Sequence, residues 1–229
     1  MESIKKVIPQ ALRNLQKQDT QRSQNQEHKI TDEEIWELVQ GIGFGRIYLR
    51  VNPDRIYPKK EIMAKIEQIN KSGCMSSSGA LICGPLGTGK TSILSYIAFR
   101  LIKERVQPSD QFGYTGYPQW KTSIKIKFIP TGELFDLFFD KDKETINAFR
   151  DCPILFLDDF GREYQTDFPL SRFENFIEHR YADLLLTFIT TNIAPDDLAD
   201  NRKWSRIVDR FRDKKWMDII TIKGKSMRG

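Results

Sequence analysis

This sequence contains little histidine and cysteine, and it has no long apolar run. His28 and His179 are too few and too far apart to suggest a metal cage. The three cysteines include no C-x-x-C pair and are typical of reduced thiols in the cytosol. The longest apolar runs are much shorter than a membrane span, and the first residues lack the apolar core of a secretory signal. We therefore expect a cytoplasmic protein that makes no membrane contact.

What the chain does contain is the composition of a globular protein with an uneven distribution of charge. Its 229 residues, 39% hydrophobic and 29% charged, are enough for one sizeable domain with a short extension. The formal net charge is +5, and the segment 202–215 alone carries seven Lys/Arg against two Asp. Such a segment is either a solvated helix face or a contact for phosphates, and charge alone does not choose between them.

The most informative motif is the glycine-rich segment 84–91, which fits the phosphate-binding pattern G-x-x-x-x-G-K-[ST]. A short apolar run, 80–83, precedes it, and apolar residues at helical spacing follow it. This strand–loop–helix context favours a P-loop over a glycine-rich turn that binds nothing. Backbone N–H groups would surround the β-phosphate, Lys90 would reach the β- and γ-phosphates, and the Thr91 hydroxyl would ligate Mg²⁺. The expected nucleotide-binding residues are Gly84, Pro85, Leu86, Gly87, Thr88, Gly89, Lys90, Thr91 and Ser92.

A second motif consists of the apolar run 154–157 followed by two acids, Asp158 and Asp159. At the carboxyl end of a buried strand, Asp158 can hold Mg²⁺, and Asp159 can orient and deprotonate the attacking water. One predicted strand, 124–129, separates this motif from the P-loop along the chain. That spacing, with the second acid, is typical of additional-strand ATPases, since many small-molecule kinases and GTPases carry the two motifs on neighbouring strands. The Asn-Lys-x-Asp motif that a GTPase uses to read its base is absent from the sequence.

Two further features follow the second motif. The predicted strand 184–190 leads into Thr191 and Asn192. The Asn192 amide could position water near the γ-phosphate; a strand-end turn is the alternative. Arg206 and Arg210 are four residues apart and therefore share one face of a helix. Guanidinium groups there could act as arginine fingers at the γ-phosphate of a neighbouring subunit, or they could be surface arginines on a solvated helix.

The chain resembles the AAA+ ATPases of the DnaC/DnaI helicase-loader and IstB transposition-helper group over about residues 45–229. The resemblance rests on five segments: 84–91, 154–161, 190–192, 206–210 and 224–229. It implies that Asn192 is the sensor 1 residue and that one of Arg206 and Arg210 is the arginine finger. It also implies that Arg228 is the sensor 2 arginine.

The sequence departs from this group in two places. The second acid is Asp159, where the group usually has Glu, and the first 45 residues do not match a helicase-binding domain. Residues of about 133–150 fall where the group carries a helical element that helps to bind single-stranded DNA. Three phenylalanines in this element either stack on bases or belong to the core: Phe135, Phe138 and Phe139.

From the motifs and the resemblance we expect an α/β fold of the P-loop NTPase class, of the AAA+ additional-strand type. Its mainly parallel five-stranded sheet would be flanked by helices, without a large C-terminal lid. Residues 46–229 would form the ATPase domain, and residues 1–45 a short polar extension that is a candidate partner-binding arm. The catalytic residues would be Lys90, Asp159, Asn192, Arg206, Arg210 and Arg228, with Thr91 and Asp158 at the metal.

The resemblance implies a homo-oligomeric ATPase that uses ATP and Mg²⁺ and binds single-stranded DNA. Its most direct functional implication is the loading or remodelling of a replicative helicase. An IstB-like helper that delivers a transposase to DNA is the alternative. Two interpretations from other classes are a small-molecule or nucleotide kinase and a nucleotide-gated scaffold with negligible turnover.

Overall fold

The computed structural model describes residues 30–73, 76–112, 118–122, 125–161, 167–200 and 204–224, without the side chains of 108–112, 118–122, 167–169, 199 and 200. The helices are α1 (Asp32–Gly41), α2 (Lys59–Ser72), α3 (Lys90–Lys103), α4 (Thr131–Asp140), α5 (Lys143–Arg150), α6 (Asp167–Ala182), α7 (Pro195–Asp200) and α8 (Ser205–Phe211). The strands are β1 (Gly79–Cys83), β2 (Val106–Phe112), β3 (Pro118–Thr122), β4 (Ile126–Pro130), β5 (Ile154–Phe160), β6 (Leu186–Thr191) and β7 (Met217–Thr221).

Five strands form one parallel sheet in the order β4-β5-β6-β1-β7, which confirms the expected sheet. β6 lies between β1, the P-loop strand, and β5, the strand that carries the two acids. The strand that separates the two motifs along the chain is β4, and it lies at the edge of the sheet. The additional-strand class is therefore confirmed, but the inserted strand is β6 and not β4, because chain order does not fix strand order.

The helices cover both faces of the sheet and enclose a separate apolar core on each. Successive residues of a strand point to opposite faces. Ile154 and Phe156 of β5 thus enter one core, with α1, α2 and α3, and Leu155 and Leu157 enter the other, with α4, α6 and α8. Burial on both faces explains why this strand is apolar without interruption. Within the described ranges, none of the helices has the length and apolar character of a membrane span.

α1 lies before the expected domain boundary at residue 45, and it packs on the ATPase core. It begins with a capping box in which Thr31 and Glu34 bond each other's backbone N–H groups. Trp36 of α1 stacks on Phe99 of α3, with ring centroids 4.3 Å apart. The division of the chain at residue 45 stays a prediction.

Two local patterns in the sequence do not match the structure. The aromatic segment 107–122 has the composition of a loop, but β2 and β3 pair there as antiparallel strands. Ser171, a good N-cap residue, predicts a helix start, but α6 begins at Asp167 and contains it. Turn and cap preferences are local, and strand pairing or helix packing overrides them.

Candidate nucleotide site

The carboxyl ends of β1, β5 and β6 meet at one edge of the sheet, beside a crevice. α3 follows β1 on one face, whereas α6 and α8, which follow β5 and β6, pack on the other face. Helices that diverge in this way leave a ligand site beyond the strand ends of open α/β sheets. The cleft here has a volume of about 370 Å³, and its lining includes part of the P-loop, both acids, Thr190 and Asn192.

The P-loop encloses the side chain of its own lysine. Gly87 and Gly89 have φ angles of 77° and 81°, in the left-handed region that favours glycine. Lys90 is 7% exposed, and its ammonium donates to the carbonyl oxygens of Gly84 and Pro85 at 2.8 Å each. α3 begins at this lysine, so its first N–H groups and the positive end of its dipole lie at the cleft. The loop is therefore arranged to bind an anion.

Asp158 is a buried acid that contacts the P-loop directly. Its carboxylate accepts hydrogen bonds from the Thr91 hydroxyl at 2.8 Å and from the Thr190 hydroxyl. Burial raises the pKa of Asp158, and the Asp159 carboxylate raises it further, while the two hydroxyls and the Lys90 charge act in the opposite direction. The two expected metal ligands, Thr91 and Asp158, are thus in contact, and their oxygen atoms are the donors that Mg²⁺ prefers.

A β-bulge presents the two acids in succession to the cleft. The register of β5 on β6 shifts at this point, so Asp158 and Asp159 lie opposite the single residue Thr190. Asp159 has a φ angle of 59°, a left-handed conformation that is strained for a residue other than glycine. The Asn192 amide donates a hydrogen bond to the Asp159 carboxylate. The expected base and the expected sensor are therefore hydrogen-bonded to each other.

Two threonines hold this arrangement in ways that the motif analysis did not assign. The Thr190 hydroxyl donates to the Asp158 carboxylate and accepts from the Asp159 N–H at 2.9 Å. Thr131, fully buried at the start of α4, donates to the Asp158 carbonyl oxygen at 2.9 Å. Thr190 lies two residues before Asn192, so the sequence motif that contains Asn192 could have pointed to it. Thr131 is 27 residues from Asp158 and belongs to none of the sequence motifs, so no pattern in the sequence pointed to it.

A second lobe of about 250 Å³ adjoins the cleft. It is lined by residues of the segment 47–56 and of the start of α3, and it shares Ile47, Gly89 and Ser92 with the first lobe. The Ser95 hydroxyl of α3 donates to the Tyr48 carbonyl and so fixes this segment on the helix. The lobe can accept the ribose and base of a nucleotide whose phosphates lie on the P-loop.

Arg206 and Arg210 lie on a different surface. We call it the arginine face and define it as Glu174 and Glu178 of α6 with Arg206 and Arg210 of α8. It borders a groove of about 500 Å³ that shares no lining residue with the cleft. Arg210 donates to Glu178 at 2.8 Å and lies 5.0 Å from the centre of the Tyr181 ring. The Arg206 side chain is 85% exposed, and its guanidinium approaches Glu174 only to 3.9 Å.

The direction of α8 separates the basic residues of the segment 202–215. α8 runs towards the amino edge of the sheet, because the turn after it leads into the start of β7. Arg206, in the first turn of α8, therefore lies nearer the carboxyl edge than Arg210. Three exposed side chains follow the helix and lie at the amino edge: Arg212, Lys214 and Lys215. The basic residues in the described part of this segment, 204–215, are thus divided between the two edges.

The remaining expected residues have mixed outcomes. Arg228, the expected sensor 2 arginine, lies outside the described residues. Phe135 and Phe138 are 1% and 4% exposed in the core, so base stacking is wrong for these two. Phe139 is 47% exposed.

Comparisons with known proteins can now be set beside this geometry. No family model matches the chain. In sequence it is 25% identical to the replicative helicase loader DnaI of Bacillus subtilis (strain 168), over 159 residues that cover 68% of this chain and 45% of DnaI. The match therefore spans less than half the length of that relative.

Solved structures give the closer description of the fold. A DnaI crystal structure has a TM-score of 0.63 at 21% identity, with 83% of this chain and 99% of that chain covered. The crystal structure of the DnaC helicase loader has a TM-score of 0.58 at 22% identity, with 78% of this chain and 100% of that chain covered. The structure of the replication initiator DnaA bound to AMPPCP and single-stranded DNA has a TM-score of 0.56 at 14% identity, with 80% of this chain and 52% of that chain covered.

The chain has the DnaC/DnaI-like AAA+ fold. The resemblance inferred from the motifs is confirmed, and so is the P-loop NTPase class. This AAA+ domain has the strand order, the P-loop and the strand-end acids of a nucleotide-binding fold. No helix follows β7 within the described residues, which end at Gly224.

Proposed function

We propose that this AAA+ protein binds ATP with Mg²⁺ in the cleft and hydrolyses it within an assembly of identical subunits. The observation that carries the proposal is the contact between Thr91 of the P-loop and Asp158, with Asp159 beside it. A hydroxyl and a carboxylate that face each other at a P-loop are suited to a metal bound to phosphate oxygens. The DnaA relative named above is bound to a nucleotide analogue.

Each residue of the cleft has a defined role in this proposal. Lys90 exchanges its carbonyl partners for the oxygens of the β- and γ-phosphates, and Thr91 and Asp158 hold the metal. Bound Mg²⁺ supplies positive charge that stabilises the negative charge of the transition state. Asp159 takes the proton of the attacking water. Asn192 orients the Asp159 carboxylate through the amide that contacts it.

Self-association follows from where the arginines lie. Phosphoryl transfer is accelerated when a guanidinium stabilises the charge that builds on the γ-phosphate. The two arginines border a groove that is separate from the cleft of their own chain, so we assign them to the cleft of a neighbour. Arg206 is the finger, since its side chain is exposed and nearer the carboxyl edge. Arg210, ion-paired to Glu178, supports the surface that docks.

The biological role that we propose is the loading or remodelling of a replicative helicase on single-stranded DNA in the cytoplasm. The relative with the matching sequence is named a replicative helicase loader, and the DnaA relative is bound to single-stranded DNA. An IstB-like role in transposition is the alternative, and it differs in its partner, a transposase. No feature of the described residues favours this alternative over the loader.

The decisive test combines enzymology with partner capture. ATP hydrolysis is measured over a range of protein concentrations, with and without single-stranded DNA, at several salt concentrations. We expect the turnover per subunit to rise with protein concentration and DNA, and the DNA effect to fall with salt as phosphate contacts weaken. Turnover that stays negligible throughout would favour a nucleotide-gated scaffold. Capture of a hexameric helicase from the native host supports the loader role, whereas capture of a transposase supports the alternative.

A further inference from the structure

The fold contains a buried arginine that the proposed chemistry does not use. Arg180 of α6 is 0% exposed. Its guanidinium donates five hydrogen bonds, all to uncharged oxygens. The acceptors are the Thr187 hydroxyl (3.0 Å) and the carbonyls of Phe149 (3.1 Å), Arg150 (2.8 Å), Cys152 (2.8 Å) and Leu186 (3.0 Å).

This arrangement is costly if its only purpose is packing. Burial lowers the pKa of Arg180 to about 10, so the group stays charged at neutral pH. None of its hydrogen-bond partners is a carboxylate, and the nearby Asp151 pairs with Arg150 at 2.8 Å and with His179 at 3.0 Å. Moving an ion out of water costs free energy, which its hydrogen bonds in the fold must offset. What a guanidinium adds is a planar fork of donors that fixes the relative positions of its acceptors.

The acceptors lie where the two strands with the catalytic groups begin. Cys152 leads into β5, Leu186 and Thr187 open β6, and Phe149 and Arg150 end α5. At this end of the strand pair, Ile154 lies opposite Leu186. At the other end lies the bulge, where Thr190 faces both acids.

The register of β5 on β6 at the start of the two strands determines which side chains lie opposite each other at their carboxyl ends. A slip of one residue in a strand turns every side chain to the opposite face. The bulge loosens the ladder at the catalytic end, so the register there depends on constraints from the opposite end. Arg180 supplies such a constraint, because it bonds β6, the chain just before β5, and the end of α5 at once.

We propose that Arg180 is a positioning residue for nucleotide hydrolysis: it holds the starts of β5 and β6 in register, so that Thr190 meets Asp158 and Asp159. The proposal rests on the proposed function for its catalytic readout. It does not place Arg180 in contact with the nucleotide.

The chain offers a matched control in its second buried cation. Lys65 of α2 is 5% exposed, and its ammonium donates to Ser78 and Asp218. It joins α2 to the chain before β1 and to β7, and none of its hydrogen bonds reaches β5 or β6. Lys65→Met removes one buried ammonium, and Arg180→Lys replaces the guanidinium fork by a single ammonium. Both variants weaken a buried cationic tie, but only Arg180→Lys does so beside the strands of the acids.

The experiment measures four properties of the parent, Arg180→Lys and Lys65→Met: melting temperature, affinity for Mg·ATP, turnover at saturating ATP, and amide hydrogen exchange at Asp159. For Arg180→Lys we expect turnover to fall about 10-fold or more, since small misplacements of catalytic groups are costly, while affinity changes little. Exchange at Asp159, whose N–H donates to Thr190, should become faster. Lys65→Met should keep the parental turnover and the parental rate of amide exchange at Asp159, even if its melting temperature falls as much as that of Arg180→Lys or more.

Two results would overturn the proposal. One is an Arg180→Lys protein with parental turnover and exchange. The other is loss of turnover in both variants in proportion to melting temperature, which is what a purely structural role produces. If Arg180→Lys does not fold, Thr187→Val removes one of the five bonds and should show the same pattern to a smaller extent; parental exchange in that variant counts against the proposal. A parent without turnover refutes the proposed function instead, and the exchange result still decides the question of register.

Discussion

The nucleotide cleft and the arginine face both contain charged side chains, but these side chains differ in their hydrogen-bond and ion-pair partners. In the cleft, Asp158 and Lys90 are at most 9% exposed, and both bond groups of their own chain. On the arginine face, Arg206 extends into solvent with one distant carboxylate near it. Buried polar groups need fixed partners, whereas exposed charges are screened and contribute little stability. The buried charges of the cleft therefore have their partners within one chain, whereas the arginine face is suited to a partner.

The largest effect should come from the cleft. Lys90→Ala removes the ammonium that we assign to the β- and γ-phosphates, so tight ATP binding and turnover should both be lost while the fold remains. Lys103→Ala is the control, since it changes an exposed lysine at the other end of the same helix. Nucleotide binding is measured by calorimetry and folding by circular dichroism. If a folded Lys90→Ala protein bound ATP as tightly as the parent, the assignment of the cleft as the ATP site would be refuted.

The next effect separates chemistry from binding within the cleft. Asp159→Asn should spare nucleotide affinity and slow hydrolysis by about 10²-fold or more, the scale of a lost general base. Asn tolerates the left-handed backbone at this position, so the fold should be preserved. Single-turnover hydrolysis checks this expectation. A parental rate would move the base to another acid, such as Glu163, which lies outside the described residues.

A smaller effect should distinguish the two arginines. Arg206→Ala should abolish the assembly-dependent part of turnover, and Arg210→Ala should reduce it less, since Arg210 is already paired with Glu178. Mixing Arg206→Ala with Lys90→Ala should restore some hydrolysis, because each variant supplies the group that the other lacks. Arg212→Ala, an exposed arginine at the opposite edge, is the control. No recovery in any mixture, with a protein that stays monomeric in ATP, would argue for a role within one chain.

The smallest effect concerns stability. Because the pKa of Asp158 is raised in the fold, the stability contributed by its proton is present at low pH and is lost as pH rises through the raised pKa. At neutral pH, Asp158→Asn should therefore melt slightly above the parent without nucleotide, on a scale of about 2–4 °C per kcal/mol. The gap should close as pH falls towards 3.8, the ordinary pKa of Asp. Calorimetric melting across pH checks this, and a variant that melts below the parent at neutral pH contradicts it.

Much of the cleft could be predicted because its signals are contiguous in the sequence. The segment 84–91 identifies the phosphate loop, and the apolar run before Asp158 identifies a strand buried on both faces. Parallel strands place their carboxyl ends at one edge, so the meeting of these motifs follows from their types. The contact of Asn192 with Asp159 follows in the same way.

The remaining features depend on distances between elements that no local pattern encodes. Strand order decided that β6, and not β4, lies between the P-loop and the acids. Packing decided that Arg206 is exposed while Arg210 is paired, although both stand at helical spacing. It also decided that Phe138 is core and that a buried Arg180 bonds both β6 and the chain just before β5. The sequence by itself determined which chemical groups are present and on which kind of element. Only the tertiary structure decided which of them meet, because burial and hydrogen-bond geometry depend on residues far apart in the chain.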